Sequence, residues 1–223
     1  MKKFSYFLIV LFLYLQSSLI NAEIVIDGKL DEDEWKEARQ ITSFYEVFPY
    51  TLNPVEDIKT VILVQESSEG IFLGFKNYQS NESMRSQSHQ RDNERSIADK
   101  NGVTIDFDAD KLSGYQFFVS SSGSIGDATY RNENERSYDW DADWLSAAST
   151  EDGVWYSEMF IPWTVAPMKA QSGEQRKVRM AFYRMLAGPQ RVIATIKGKN
   201  IYSSLKYESG VHRAVSYTHL TLP

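Results

Sequence analysis

Short runs of alternating apolar and polar residues dominate the chain after its first two dozen residues. Such a two-residue period is typical of β-strands with one buried face. The predicted strands lie at 24–26, 60–64, 71–75, 102–107, 115–120, 154–161 and 178–185. The break at 67–70 between two of these runs predicts a hairpin. The sequence contains no long amphipathic helical pattern.

One short helix is predicted near the start of this region, over residues 30–39. Asp31 is a suitable N-cap, Glu34 follows three residues later, and Trp35 and Ala38 share one face. Residues 77–96 are polar and predict a long loop. This pattern favours an all-β fold, an antiparallel β-sandwich with one short N-terminal helix, although a closed barrel also fits the number of strands.

The first 22 residues predict a secretory signal peptide. Lys2 and Lys3 precede an apolar run at 4–15, which is short for a membrane span, and a small-residue site ends at Ala22. The alternative is an uncleaved membrane anchor. We therefore expect export to the periplasm, the outer membrane or the cell surface.

The remaining chain is predicted to form one domain, at residues 23–205. Residues 206–223 are interpreted as a truncated end. Within them, residues 214–223 lack turn or cap signals and resemble a translated adapter, which predicts a non-native tail.

Composition excludes several functions. Of 223 residues, 24 are Lys or Arg and 30 are Asp or Glu, which gives a net charge of −6 and argues against nucleic-acid binding. The absence of Cys excludes disulfides, thiolate zinc sites and cysteine nucleophiles. The three His residues do not accompany a nucleophile motif. Glu158 has no evident partner acid for glycosidase chemistry, and a solvent-facing or Arg-paired position is the simpler interpretation.

Alternating aspartates are candidate ligands for a hard cation such as calcium. Asp106 and Asp108 share one face of a strand, and Asp139 and Asp141 do the same further along the chain. Solvated turn acids are the alternative. A structural calcium ion is thus a possible cofactor from the sequence.

Aromatic residues give the most specific signal. In an extended segment, Trp140 and Trp144 lie on the side opposite Asp139 and Asp141, so an exposed pair would form a platform for stacking sugar rings. Arg91 and Asp92 in the polar loop are predicted to bind sugar hydroxyls. The alternative is that both Trp residues pack in the core.

Several blocks, in order, resemble carbohydrate-binding module family 9. These are the opening motif at 26–35, the hairpin strand at 70–75, Arg91-Asp92 with the strand at 103–108, and the closing strand at 152–163. The resemblance is greatest to N-terminal domains of bacterial surface proteins in which an outer-membrane barrel follows.

This resemblance implies a β-sandwich that binds sugars, with calcium as a structural ion. In such modules two Trp residues sandwich the sugar ring; Trp140 or Trp144 matches the later one, and Tyr78 stands in the region of the earlier one. The expected function is a secreted, non-catalytic module that targets a larger surface protein or glycoside hydrolase to polysaccharide for carbohydrate catabolism. The alternative is a structural domain of an outer-membrane barrel protein without sugar binding.

Overall fold

The computed structural model describes residues 24–93, 95–131, 135–171 and 176–197, and the backbone of a strand at 211–214. It confirms the predicted antiparallel β-sandwich. The strands are β1 (Arg39–Ile41), β2 (Tyr45–Phe48), β3 (Thr60–Glu66), β4 (Gly70–Tyr78), β5 (Lys100–Asp106), β6 (Ser113–Ser120), β7 (Ile125–Arg131), β8 (Glu135–Ser137), β9 (Leu145–Glu151), β10 (Val154–Pro162), β11 (Arg176–Leu186), β12 (Arg191–Ala194) and β13 (Val211–Ala214).

The described strands form two antiparallel sheets. The smaller sheet has the order β1-β3-β4-β10-β9. The larger sheet has the order β2-β12-β11-β5-β6-β7-β8, and β13 pairs with the first part of β11. Sequential neighbours such as β3-β4 and β5-β6-β7 form hairpins, whereas β10 lies beside β4 through a long connection.

The core lies between the inner faces of the two sheets, as strand alternation requires. In β4, Ile71, Leu73 and Phe75 point into it and are fully buried. In β11, Met180 and Phe182 do the same from the opposite sheet. The sandwich therefore buries a continuous apolar layer without disulfides.

The N-terminal segment packs across the outer face of the smaller sheet. Ile24, Trp35 and Ala38 form a second apolar cluster with Leu63 of β3 and Phe72 of β4. The predicted strand at 24–26 is absent, because the backbone of this segment bonds to side chains: the Val25 amide donates to a Glu32 carboxylate oxygen at 3.0 Å.

The predicted helix at 30–39 is reduced to a single 3-10 turn, Asp33–Lys36. Glu32, and not Asp31, occupies the N-cap position, and no side chain caps the turn. The segment is held by docking Trp35 onto the sheet, so its conformation follows the packing of one large side chain and not helical periodicity.

The predicted signal peptide and the tail at 214–223 lie outside the residues whose side chains are described. In the described part of the chain, no helix is long and apolar enough to cross a membrane.

Candidate functional site

The segment from Tyr138 to Trp144 alternates as predicted, but its aromatic side faces the protein. Asp139, Asp141 and Asp143 are exposed. Trp144 is only 7% exposed, and its indole nitrogen donates to the Asp127 carboxylate at 2.9 Å. The expected exposed platform is therefore wrong for Trp144, since the ring has no open face in this structure.

Trp140 is half-buried at the margin of the core. Its ring makes edge contacts with Tyr115 and Phe117, at centroid distances of 5.0 and 5.9 Å. Trp140 and Trp144 both pack against the inner face of β6, so the two do not form the predicted stacking pair. A sugar contact by Trp140 stays a prediction.

Arg91, Asp92 and Asp141 meet around the fully buried Asp127. The Arg91 guanidinium pairs with the carboxylates of Asp127 and Asp141, the latter at 3.2 Å. Asp92 accepts the Asp127 amide at 2.7 Å. The structure thus brings four predicted site residues together, counting Trp144, but their polar groups already bind one another. Their role in binding sugar hydroxyls stays a prediction.

Tyr78 lies far from this cluster in the fold. It ends β4 on the outer face of the smaller sheet, and the Lys59 ammonium lies 4.2 Å from its ring centroid. The loop carrying Arg91 instead packs on the larger sheet, where Asp92 reaches β7. Tyr78 therefore does not face Trp140 or Trp144 across a sugar site.

The predicted metal ligands have protein partners. The Asp106 carboxylate accepts the amides of Asp108 and Lys111, at 3.2 and 2.8 Å, and Asp108 pairs with Arg176 at 2.6 Å. Asp139 accepts the Ser137 hydroxyl. Within the described residues, no three acidic or histidine side chains form a group that could hold a metal ion. These donors do not fit a calcium site, and calcium binding stays a prediction.

A different set of side chains forms a polar and aromatic surface on the outer face of the larger sheet. We call this surface the tyrosine face. The residues that line it are Lys100, Gln116, Phe118, Arg136, Tyr138, Tyr183 and Met185, and the hollow between them measures only about 20 Å³. Arg136, Tyr138 and Met185 are partly exposed, whereas the other four are at most 5% exposed. Strand alternation explains why these side chains lie together. In β5, β6 and β11, every second residue points into the core, and the residues between them point to the outer face of the sheet.

Gln116 is the centre of a hydrogen-bonded array on the tyrosine face. Its side-chain amide donates to the Tyr183 hydroxyl at 3.1 Å, and its carbonyl accepts the Tyr130 hydroxyl at 3.2 Å. Arg136 donates to the same Tyr130 hydroxyl at 3.4 Å, and its guanidinium lies 4.8 Å from the Tyr138 ring centroid. The array fixes the orientation of two phenol groups and one guanidinium.

Lys100 joins this face to the loop that carries Arg91 and Asp92. Its ammonium donates to the Asn93 carbonyl at 3.2 Å and lies 5.3 Å from the Phe118 ring centroid. Burial lowers the pKa of Lys100 to about 8. The polar loop is therefore held beside the tyrosine face, although its predicted hydroxyl-binding residues point into the Asp127 cluster.

Two glycines make room for the rings of the tyrosine face. A Cβ atom on Gly102 would lie 2.8 Å from the Tyr183 hydroxyl, and one on Gly126 would lie 2.2 Å from the Phe118 ring. Both rings therefore pack closely against the glycine backbone, where a side chain would not fit. Above them, the partly exposed Tyr138 ring and Arg136 guanidinium are of the types that can stack on a sugar ring and bind its hydroxyls.

Glu158 has a structural environment. It is fully buried under the N-terminal segment, where one carboxylate oxygen accepts the amides of Asp27 and Gly28, at 3.0 and 2.7 Å. The other oxygen accepts the Trp35 indole at 3.2 Å. Burial raises the pKa of Glu158 to about 7, and the backbone donors oppose this rise. Neither predicted alternative, a solvent-facing or an Arg-paired acid, is found.

Comparison with solved structures identifies the fold. A family 9 carbohydrate-binding module from Caldicellulosiruptor kristjanssonii, in complex with glucose, matches with a TM-score of 0.60 at 10% identity, over 91% of this chain and 96% of that one. The same organism's module in complex with cellotriose matches with a TM-score of 0.57 at 11% identity, over 91% and 95%. The chain has the fold of family 9 carbohydrate-binding modules, as its sequence motifs indicated.

Sequence comparison gives a separate, local match. Residues 163–218 match a model described as the PCRF domain. Peptide chain release factor 1 from Pelagibacter ubique is 77% identical over 26 residues, which is 12% of this chain and 7% of that protein. The Hydrogenobaculum protein of the same name is 68% identical over 28 residues, or 13% and 8%. The chain thus spans under a tenth of these relatives, and residues 176–194 of the matched region form β11 and β12 of the sandwich.

Proposed function

We propose that this protein is a non-catalytic carbohydrate-binding module and that the tyrosine face is its sugar site. The observation that carries the proposal is the partly exposed Tyr138 ring beside the Arg136 guanidinium, which is oriented by its hydrogen bond to the buried Tyr130 hydroxyl. Support also comes from the fold, which two modules solved with glucose and cellotriose share.

The chemistry of this face suits a neutral saccharide. The partly exposed Tyr138 ring supplies apolar surface for the C–H side of a pyranose, and the partly exposed Arg136 guanidinium supplies directed donors. Gln116 and Phe118 are at most 3% exposed and act only by supporting these two groups. Sites of this kind hold sugars with modest affinity, on the order of micromolar to millimolar. In the context of the predicted export signal, such a module would keep a surface protein or glycoside hydrolase near its polysaccharide.

The test is a calorimetric titration of the full chain with glucose, cellotriose and xylotriose, with and without calcium. We expect saturable binding of at least one of these sugars. Tyr138→Ala should weaken it at least tenfold, since a stacked ring contributes about 1–3 kcal/mol in burial and contact terms. Tyr50→Ala, which changes an exposed tyrosine after β2, is the matched control and should not alter affinity.

A second candidate function rests on the burial of Trp144. If the protein is a structural domain attached to an outer-membrane barrel, its tryptophans serve packing and no sugar is required. A folded chain that binds none of the three sugars would favour this candidate and contradict the first.

A further inference from the structure

A groove of about 420 Å³ lies on the opposite side of the sandwich from the tyrosine face. It runs between the N-terminal segment and the outer face of the smaller sheet. Val61, Leu63, Lys76 and Tyr156 form its floor, and the acids Asp31, Glu32 and Glu151 also line it. The volume falls within the range of small-molecule sites, and the floor combines an aromatic ring with a cation.

Lys76 is a cation without an acidic partner in this groove. Within the described residues, no carboxylate oxygen lies within 4.0 Å of its ammonium, which instead lies 5.4 Å from the ring centroids of both Tyr78 and Tyr156. The Lys59 ammonium lies 4.2 Å from the Tyr78 ring centroid. Two positive charges are therefore held on two tyrosine rings, side by side on one sheet face.

The rim lysines of the same groove differ. The Lys29 ammonium pairs with Asp27 at 3.2 Å, and the Lys36 ammonium pairs with Asp33 at 2.5 Å. Their charge is already balanced by a neighbouring acid. Among the lysines that line the groove, Lys76, next to the Tyr156 ring, is thus the one with no acid within 4.0 Å in the described part of the chain.

We propose that this groove binds an acidic saccharide, a uronic acid unit whose carboxylate pairs with Lys76 and whose ring stacks on Tyr156. The Tyr156 hydroxyl donates to Glu151 at 3.2 Å, which leaves that carboxylate able to accept a sugar hydroxyl. The net charge of −6 and the three acids that line the groove oppose the approach of an anion, so selectivity here comes from short-range contact and not from long-range attraction.

This site is independent of the tyrosine face, and its test is designed to separate the two. The full chain is titrated with trigalacturonate and, in parallel, with cellotriose at the same ionic strength. We expect Lys76→Gln to weaken trigalacturonate binding at least tenfold while cellotriose binding is unchanged. Raising the salt concentration should weaken only the acidic ligand. Lys36→Gln, a rim lysine with an acidic partner, is the matched control and should change neither.

Three results would overturn the proposal. They are the absence of saturable trigalacturonate binding, equal affinity in Lys76→Gln and the parent chain, and loss of trigalacturonate binding in Tyr138→Ala, which would mean that one site takes both ligands. If Lys76→Gln does not fold, Tyr156→Ala tests the same site, because it removes the ring on which the uronic acid is proposed to stack. If glucose, cellotriose and xylotriose all fail to bind while trigalacturonate binds, the tyrosine-face proposal is contradicted and this one stands.

Discussion

The outer faces of the two sheets are used in opposite ways. On the smaller sheet, the N-terminal segment docks Trp35 and covers the buried Glu158, which binds three donors from that segment. On the larger sheet, the equivalent side carries the tyrosine face, with phenol, amide and guanidinium groups in a linked array. The comparison teaches that the buried acid and tryptophan hold the N-terminal segment on one sheet, while on the other sheet the buried Gln116 and Tyr130 orient the partly exposed Arg136.

The largest effect is expected from Trp35→Ala. This side chain is 3% exposed and packs against Leu63 and Phe72, so its removal leaves a cavity and an unpaired acceptor on Glu158. We expect the free energy of unfolding to fall by about 3–5 kcal/mol. Urea unfolding followed by circular dichroism measures this. Val25→Ala in the same segment is the control and should change stability by less than about 0.5 kcal/mol.

Glu158→Gln should destabilise the fold by about 1–3 kcal/mol at pH 5. The amide oxygen can still accept from Asp27 and Gly28, but the amide nitrogen then faces the Trp35 indole, donor against donor. Glu151→Gln, at an exposed position in the neighbouring strand, is the control. An unchanged urea midpoint in Glu158→Gln would contradict a structural role for this acid.

The same carboxyl predicts a pH dependence of stability. Burial raises the pKa of Glu158 from 4.5 to about 7, so the folded state binds the proton more tightly than the unfolded state. Its contribution is therefore complete below pH 4.5 and lost as the pH rises through 7, with a total on the order of 1–3 kcal/mol. Urea unfolding at intervals from pH 4.5 to 8 should show a shallower decline in Glu158→Gln than in the parent chain. Parallel curves would refute this assignment.

A smaller effect is expected on the tyrosine face. Tyr183→Phe removes the hydroxyl that accepts from Gln116 and should lower stability by about 0.5–1.5 kcal/mol. If the array orients groups for a sugar, Tyr183→Phe should also lower the affinity for cellotriose several-fold. The control Tyr50→Ala should leave that affinity unchanged. If Tyr183→Phe lowers stability but leaves cellotriose affinity unchanged, the Tyr183 hydroxyl contributes to the fold and not to sugar binding.

Much of the fold was predictable from the sequence, because strands buried on one face carry the two-residue period. β3, β4, β6, β10 and β11 follow from this pattern, and the order of the sequence motifs matched the family 9 fold. The conformation of residues 30–39 was not predictable, and the helix expected there is only one 3-10 turn. The packing of Trp35 decides this conformation, and helical periodicity does not.

The site was less predictable, since contact between distant strands decides it. The alternation around Trp140 and Trp144 correctly predicted that both rings lie on the same side of the segment. The local sequence does not show that this side faces the core. Tyr183 and Gln116 were missed because they come from β11 and β6, which are not neighbours in the sheet. The available signal was that Tyr183 lies opposite the core positions of its own strand.

The most direct test of the central claim locates the sugar on the protein. Amide nuclear magnetic resonance spectra of the full chain are recorded during a titration with cellotriose. The account predicts saturable shifts at amides of β5, β6 and β11 around Lys100, Gln116 and Tyr183, and none at the groove floor around Val61 and Tyr156. Shifts confined to the groove or to the surroundings of Trp144 would contradict the account. So would the absence of any shift.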